Sequence, residues 1–319
     1  MERLTSVIVP AFNEANDFEF RLARLSAHLD ERFGERYELI VVDDGSTDET
    51  SDVLRRMHAS YPRLLVEEHR ENLGMNAAIR SGIAMSRGDR LVILDADLTY
   101  APEITSSLVE RIDAGADIAL ASPYMTGGKT VAVPFSRRVF SVCANKFLSL
   151  AVRGRIATLT SMVRAYDAPF ARRMMGNGAF TESTFGVLLE AYRENATIVE
   201  IPATLDWSAQ PRERARRMHW RRIITHSWNV IRAGIRTRPL LLAALPGLIP
   251  GLLPFVTLVA LGAHASAPRL AQIVVATIAI QYASLGLLSF QLGDFIRRLY
   301  AHRSSTAASA SERSGRVRA

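Results

Sequence analysis

Over the first 124 residues, short apolar runs rich in β-branched side chains alternate with segments of helical spacing. SVIVP (6–10), ELIVVDD (38–44), RLVILDAD (90–97) and DIALAS (117–122) read as strands, each a brief continuous apolar run ended by turn-forming or acidic residues. After the first run, Phe18, Leu22, Leu25 and Leu29 recur at three- and four-residue steps and Gly34 follows as a stop, which predicts an amphipathic helix. After the second, GSTDETSDVLRRMHA predicts another, with Ser46 or Thr47 as N-cap and acidic residues in its first turn. Strands alternating with helices build βαβ units, so the expected class is α/β, a Rossmann-like, mainly parallel sheet covered on both faces.

From about 125 to 205 the pattern is less regular. GGK at 127–129 reads as a flexible loop, Ser136 to Val152 and Thr184 to Glu194 as helices, and TIVEIPATLDW as a further strand. The last third changes character. Two charge-free apolar stretches, about 240–263 and 270–293, are each long enough to cross a hydrocarbon core of about 30 Å as a helix. Arg232, Arg236 and Arg238 precede the first and Arg297, Arg298 and Arg303 follow the second, whereas the HASAPR connection holds only Arg269. The bias of positive residues toward the cytoplasmic side puts both ends of such a hairpin in the cytoplasm. Pro246, Pro250 and Pro254 predict a bent first span. Upstream, Trp220, Ile223, Ile224, Ser227, Trp228, Ile231 and Ile235 share one helical face and Arg221, Arg222, Asn229, Arg232 and Arg236 the other, the pattern of an interfacial helix. The expected organisation is therefore a cytoplasmic domain at 1–211, a basic amphipathic juxtamembrane segment at 212–238, two transmembrane helices within 239–298, and a small, polar, disordered basic tail at 299–319.

Composition narrows the function. The net charge is +7 and the sequence pI about 10.0, compatible with nucleic acid, anionic lipid or phosphate-bearing substrates. The basic excess lies beside the apolar stretches, which argues against nucleic acid and for a membrane. Cys143 is the single cysteine, and no Cys/His cluster has zinc-ligand spacing. The opening MERLTSVIVPAFNEAND does not read as an export signal, so the expected location is the cell membrane, multi-pass, with the soluble domain facing the cytoplasm.

Candidate chemistry sits where strands end. In an open parallel sheet, ligands collect outside the carboxyl ends of the strands. Three such ends carry Pro10 with Phe12, Asn13 and Glu14, then Asp43 with Asp44, then Asp95 with Asp97. Two acids at alternate strand positions point to one face and together reach a hard divalent cation, Mg²⁺ or Mn²⁺, which keeps water and binds substrate phosphates.

SVIVPAFNEAN, ELIVVDDGSTDET, ENLGMNAAIRSGIAMSRGD and RLVILDADL, in this order and spacing, resemble the family-two glycosyltransferases with the glycosyltransferase A fold. The continuation through PYMTGGK, the VEIP strand, a basic segment and apolar spans resembles the dolichyl-phosphate mannose synthase branch and its bacterial polyprenyl-phosphate hexosyltransferase relatives. The resemblance implies that Pro10, Phe12 and Glu14 cup the nucleoside, with the acid on the ribose hydroxyls. It implies that Val41 and Asp43 contact the base, and that Asp95, Ala96 and Asp97 bind the ribose and the metal on the diphosphate. It also implies a basic residue in the last loop that grips phosphate, matched here by Arg216; Asp97 and Arg216 are the expected catalytic pair. Lys129, Arg137, Arg138 and the RERARR cluster at 212–217 are further candidates for phosphate positioning.

The implied reaction is inverting, metal-dependent transfer of a hexose from a nucleotide-diphosphate sugar to a polyprenyl phosphate of dolichyl or undecaprenyl type. Such an acceptor is already anionic, so no strong general base is required. Two alternatives stand beside it: transfer to another lipid or lipid-linked glycan, and a non-catalytic nucleotide-binding membrane subunit. Association into a homo-oligomer through small-residue and proline-rich surfaces is also left open. Three departures bear on this choice. Ser122, Pro123 and Tyr124 stand where the mannose synthase branch commonly has Ser/Thr-Arg-Tyr; Thr158, Met162 and Val163 alter an acidic residue and a Ser-Gly-Phe-Arg run; and Thr99 replaces a common Gln.

Overall fold

A computed structural model of the protein describes residues 3–209, apart from 150, 151, 153, 179 and 181–183, together with positions 275, 278 and 282. The juxtamembrane segment, the apolar hairpin, the tail and Arg216 lie outside the described residues. Among the described residues, no helix is long and apolar enough to cross a membrane.

The element order is β1 (Thr5–Ala11), α1 (Phe18–Phe33), β2 (Tyr37–Asp43), α2 (Thr50–Ser60), β3 (Leu64–Glu68), α3 (Met75–Met85), β4 (Arg90–Ile93), α4 (Ile104–Asp113), β5 (Ile118–Ser122), β6 (Lys129–Val131), α5 (Phe135–Ser149), β7 (Arg164–Asp167), α6 (Ala168–Gly176), α7 (Thr184–Arg193), β8 (Ile198–Pro202) and β9 (Thr204–Asp206). Seven strands form the main sheet in the order β3-β2-β1-β4-β7-β5-β8, and β6 pairs with β9 in a small ribbon. Every neighbouring pair is parallel except those made by β7 with β4 and β5, so the α/β class with a mainly parallel sheet is observed.

The apolar runs become the centre of the sheet because helices cover them. Val7, Ile8, Leu39, Ile40, Val41, Leu91 and Val92 are at most 1% exposed, and Phe18, Leu22, Leu25 and Leu29 of α1 pack into one core with Val7, Leu39, Val41 and Val92. Each such side chain contributes about 1.5–3 kcal/mol by leaving water. Gly34 ends α1 with φ of 58° and its N–H on the carbonyl of Asp30, as its position predicts. The start of α2 differs from expectation. Ser46 and Thr47 are held by Asn13, and the helix begins at Thr50, whose N–H is taken by the Asp48 carboxylate at 3.0 Å. Lys129, expected in a loop, opens β6, its N–H bonded to the carbonyl of Ala203 at 3.0 Å.

Candidate active site

The register brings four chain segments to one edge of the sheet. Ala11 lies opposite Asp43 where β1 and β2 end, and Ile8 lies opposite Ile93 where β4 ends. Because β7 runs antiparallel, its first residue, Arg164, also pairs with Ile93. Strand ends of one direction and a strand start of the other thus share an edge, placing a guanidinium beside the acidic turns.

The acids of that edge are in a turn, not on a strand. Strand pairing stops at Ile93, after which Leu94 donates its N–H to the carbonyl of Ile8 at 3.0 Å. The chain then folds back: Leu98 donates to the Asp95 carbonyl at 3.1 Å with φ of 47°, and the Asp97 carboxylate accepts the Thr99 N–H at 3.2 Å. Strand alternation therefore does not bring the two carboxylates together; the turn does. Ala96 is buried between them. Burial pushes the Asp95 carboxyl up to about 7, the Asp97 and Glu14 carboxylates push in the same direction, and the guanidinium of Arg164 opposes them. Asp97, Glu14 and Arg164 thus all act electrostatically on Asp95.

This donor set fits a hard divalent cation. Crowded carboxylates with excess negative charge are what Mg²⁺ or Mn²⁺ relieves. Among the described residues, no three His, Cys, Asp or Glu side chains are grouped closely enough to make an all-protein cage. An ion held by Asp95 and Asp97 would complete its shell with water and substrate phosphate, the usual habit of Mg²⁺.

The β1 and β2 ends form a hydrogen-bonded cradle next to these acids. Pro10 is buried on β1, while Phe12 is 41% exposed just beyond it. Glu14 pairs with Arg21 at 3.2 Å and its N–H is held by the Thr50 hydroxyl at 2.8 Å. Val41 is wholly buried, and Asp43 is 1% exposed, its carboxylate accepting from Ser46 N–H and the Ser51 hydroxyl. The neighbouring Asp44 accepts the N–H groups of Leu73 and Gly74 at 3.0 and 2.8 Å and contacts His69 Nδ1 at 2.8 Å. His69 Nε2 lies 2.9 Å from the Ser81 hydroxyl. Gly45 seals this arrangement: its φ is +70°, and a Cβ there would collide with the backbone of Glu71 and Asn72, so only glycine lets the two loops touch.

The basic candidates separate. Lys129 is exposed on β6, and Arg216 lies outside the described residues. Arg137, on the first turn of α5, stacks its guanidinium on the Trp207 ring at 4.1 Å from the centroid. Desolvation lowers the pKa of that guanidinium, and Tyr124 and Asp97 pull it back up, so Arg137 faces the Asp97 turn. One altered position, Thr158, meets Ser122, the residue before the altered Pro123. The Ser122 and Thr158 hydroxyls are buried and 2.6 Å apart, and the Glu200 carboxylate accepts the N–H groups of Ala157 and Thr158 at 2.7 and 2.9 Å.

The model of glycosyl transferase family 2 matches residues 6–173, more than half of the chain, a range that includes Glu14, Asp43, Asp95, Asp97, Arg137 and Arg164. The chain belongs to glycosyl transferase family 2. Among curated relatives, a dolichol-phosphate mannosyltransferase of Pyrococcus furiosus is 37% identical over 43% of this chain and 38% of its own length. A polyprenol monophosphomannose synthase of Mycolicibacterium smegmatis is 33% identical over 63% of this chain and 76% of its own. An undecaprenyl-phosphate 4-deoxy-4-formamido-L-arabinose transferase of Edwardsiella ictaluri is 36% identical over 36% of each. The chain thus spans well under half the length of the archaeal and Edwardsiella relatives. The fold is shared with a mannosyltransferase of Pyrobaculum calidifontis in complex with GDP-Man and Mn²⁺, at a TM-score of 0.54, 20% identity and coverage of 93% and 88% of the two chains.

Arg164, Trp207 and His69 are placed at or beside this edge without being among the candidate residues of the sequence analysis. A signal exists for the first, since Arg164 stands at the arginine of the Ser-Gly-Phe-Arg run that Met162 and Val163 alter. Trp207 and His69 carry none, because their roles depend on partners 70 and 25 positions away.

Proposed function

We propose that this family-2 glycosyltransferase moves a hexose from a nucleotide-diphosphate sugar to a polyprenyl phosphate at the cytoplasmic face of a membrane. The observation that carries the reading is the gathering of Asp95, Asp97 and Glu14 with Arg164 and Arg137 at one sheet edge. An edge with both signs of charge suits a donor that has a diphosphate and a ribose. Support for a lipid acceptor comes from the relatives, which are named for dolichol phosphate, polyprenol and undecaprenyl phosphate, and from the two apolar stretches near 240–263 and 270–293.

In this reading an acceptor phosphate oxygen attacks the anomeric carbon with inversion. The bond from that carbon to the diphosphate oxygen breaks, and the nucleoside diphosphate leaves with the electron pair. No proton need be removed from the nucleophile, which fits an edge with several carboxylates committed to other partners. Asp95 and Asp97 would hold a divalent cation that offsets charge on the departing diphosphate. Glu14 and Phe12 flank the nucleoside, and Arg137 counters phosphate charge.

Purified full-length protein, offered undecaprenyl phosphate and a panel of nucleotide sugars with Mn²⁺ or Mg²⁺, should form a glycosyl phospholipid. Transfer only to other lipids overturns the polyprenyl-phosphate reading. A second reading, an acceptor that is another lipid or a lipid-linked glycan, is favoured by Pro123, which stands where the mannose synthase branch commonly carries an arginine, and by Thr158, which replaces an acid and bonds the neighbouring Ser122 hydroxyl.

A further inference from the structure

Three chain segments that are distant in sequence lock together beside Asp97. The carbonyl of Thr99, two residues after that acid, accepts the N–H of Asp206 at 2.8 Å. The next residue, Trp207, donates its N–H to the carbonyl of Val131 at 3.0 Å. Val131 ends β6, four residues before α5 begins, and Arg137 on the first turn of α5 returns to lie on the Trp207 ring, 4.1 Å from its centroid. Backbone hydrogen bonds from Asp206 and Trp207 thus anchor the chain that carries the indole. The indole in turn sets where the guanidinium can be.

A guanidinium carbon held over an indole face is attracted by the ring's π cloud, and that contact consumes no N–H donor. The N–H edge of a guanidinium matches two oxygens of a phosphate, and stacking removes rotamer freedom that would otherwise be lost on binding. A lone exposed arginine would lack this preparation. We propose that Trp207 is a positioning residue that holds Arg137 as a preset phosphate-binding arm beside the Asp97 turn. The proposal deepens the glycosyltransferase reading given above and rests on it for the identity of the phosphate. Two sources offer the same chemistry: the diphosphate of the donor and the phosphate monoester of the acceptor.

The test uses full-length protein and two binding assays that need no turnover. Calorimetry with GDP and with UDP in the presence of Mn²⁺ reads the donor side. Co-sedimentation with vesicles containing undecaprenyl phosphate, against phosphatidylglycerol vesicles of equal charge, reads the acceptor side. Trp207→Ala should weaken one of the two by about tenfold, and Trp207→Phe, which keeps a ring under the guanidinium, should restore most of it. Arg137→Ala should weaken the same assay at least as much, and Trp207→Ala added to Arg137→Ala should then change nothing further. A loss confined to nucleotide assigns the arm to the donor diphosphate, and a loss confined to the vesicles assigns it to the acceptor. The proposal is overturned if Trp207→Ala binds both probes like the wild type, if the two substitutions add independently, if Phe is no better than Ala, or if the wild type binds neither probe. Failure of sugar transfer with the Trp207–Arg137 coupling intact would count against the acceptor assignment and leave the arm standing.

Discussion

The two halves of the candidate site are built to different standards. On the β1–β2 side every carboxylate is committed: Asp43 to Ser46 and Ser51, Asp44 to Leu73, Gly74 and His69, and Asp48 to Thr50 and Ala15. These partners lie on the loops and the helix that follow β1, β2 and β3 of the seven-stranded sheet. On the β6–β9 side the strands are three residues long, Lys129 and Val131 are exposed, and Arg137 is placed by one aromatic ring. A moiety common to many donors suits the rigid side. In the proposed reading, the adaptable side takes whichever phosphate Arg137 grips.

The contrast can be broken experimentally. The largest effect is expected at the junction of the halves: Asp97→Asn should lower transfer about 10²–10³-fold with the melting temperature unchanged, measured by steady-state kinetics beside thermal unfolding. Next, Asp44→Ala strands two backbone N–H groups and an imidazole in a buried site and should cost about 3 kcal/mol in denaturant unfolding. A loss as small as that of a surface residue would mean the rigid side is not rigid. On the other side, Thr158→Val removes only the hydroxyl facing Ser122 and should cost about 1 kcal/mol while leaving nucleotide-diphosphate affinity unchanged by calorimetry.

A pH experiment sharpens the same comparison. The Asp95 carboxyl is raised in the fold to about 7 from an ordinary 3.8, so its protonated form is favoured by folding. Its contribution to stability is therefore fully present below the ordinary value and is lost as pH rises through 7. In chelator, the wild type should lose stability between about pH 4 and 7, whereas Asp95→Asn should lose less and melt higher at pH 8. Glu38 acts in the opposite sense at the far end of the strands. Burial pushes it up, but the Arg87 N–H, the Ser6 hydroxyl and the Arg87 guanidinium outweigh burial and hold it below the usual carboxylate range. Its stabilisation is present above its ordinary value and fades in acid. A melting curve of metal-free wild type that rises steadily from pH 4 to 8 would contradict the role assigned to Asp95.

Much of the fold is legible in the amino-acid sequence. The apolar runs at 6–10, 38–44 and 117–122 form strands almost residue for residue, because a run buried on both faces has to be continuous. Only the first half of the run at 90–97 pairs as a strand, since sequence does not say where pairing partners stop. LLVEE at 64–68 and RAYD at 164–167 escape a reading by pattern, being short and carrying charges that blur any period. At the site, Asp95 and Asp97 announce themselves by type and spacing. Arg164 is marked by its place at the end of the altered Ser-Gly-Phe-Arg run, whereas Trp207 is not marked at all, for an indole is ordinary until its neighbour across the fold is known.

The reversed strand β7 has a consequence for how the molecule is made. Ile93 on β4 waits for Arg164, 71 positions later, before that side of the strand is paired. At a synthesis rate of about 5–20 residues per second, a nascent chain carries β4 with a bare edge for roughly 4–14 seconds. During that interval the half-made sheet offers Leu91, Val92 and Ile93 to any other extended segment nearby. Slowing translation between 94 and 164 should therefore lengthen the time during which the emerging chain depends on a chaperone.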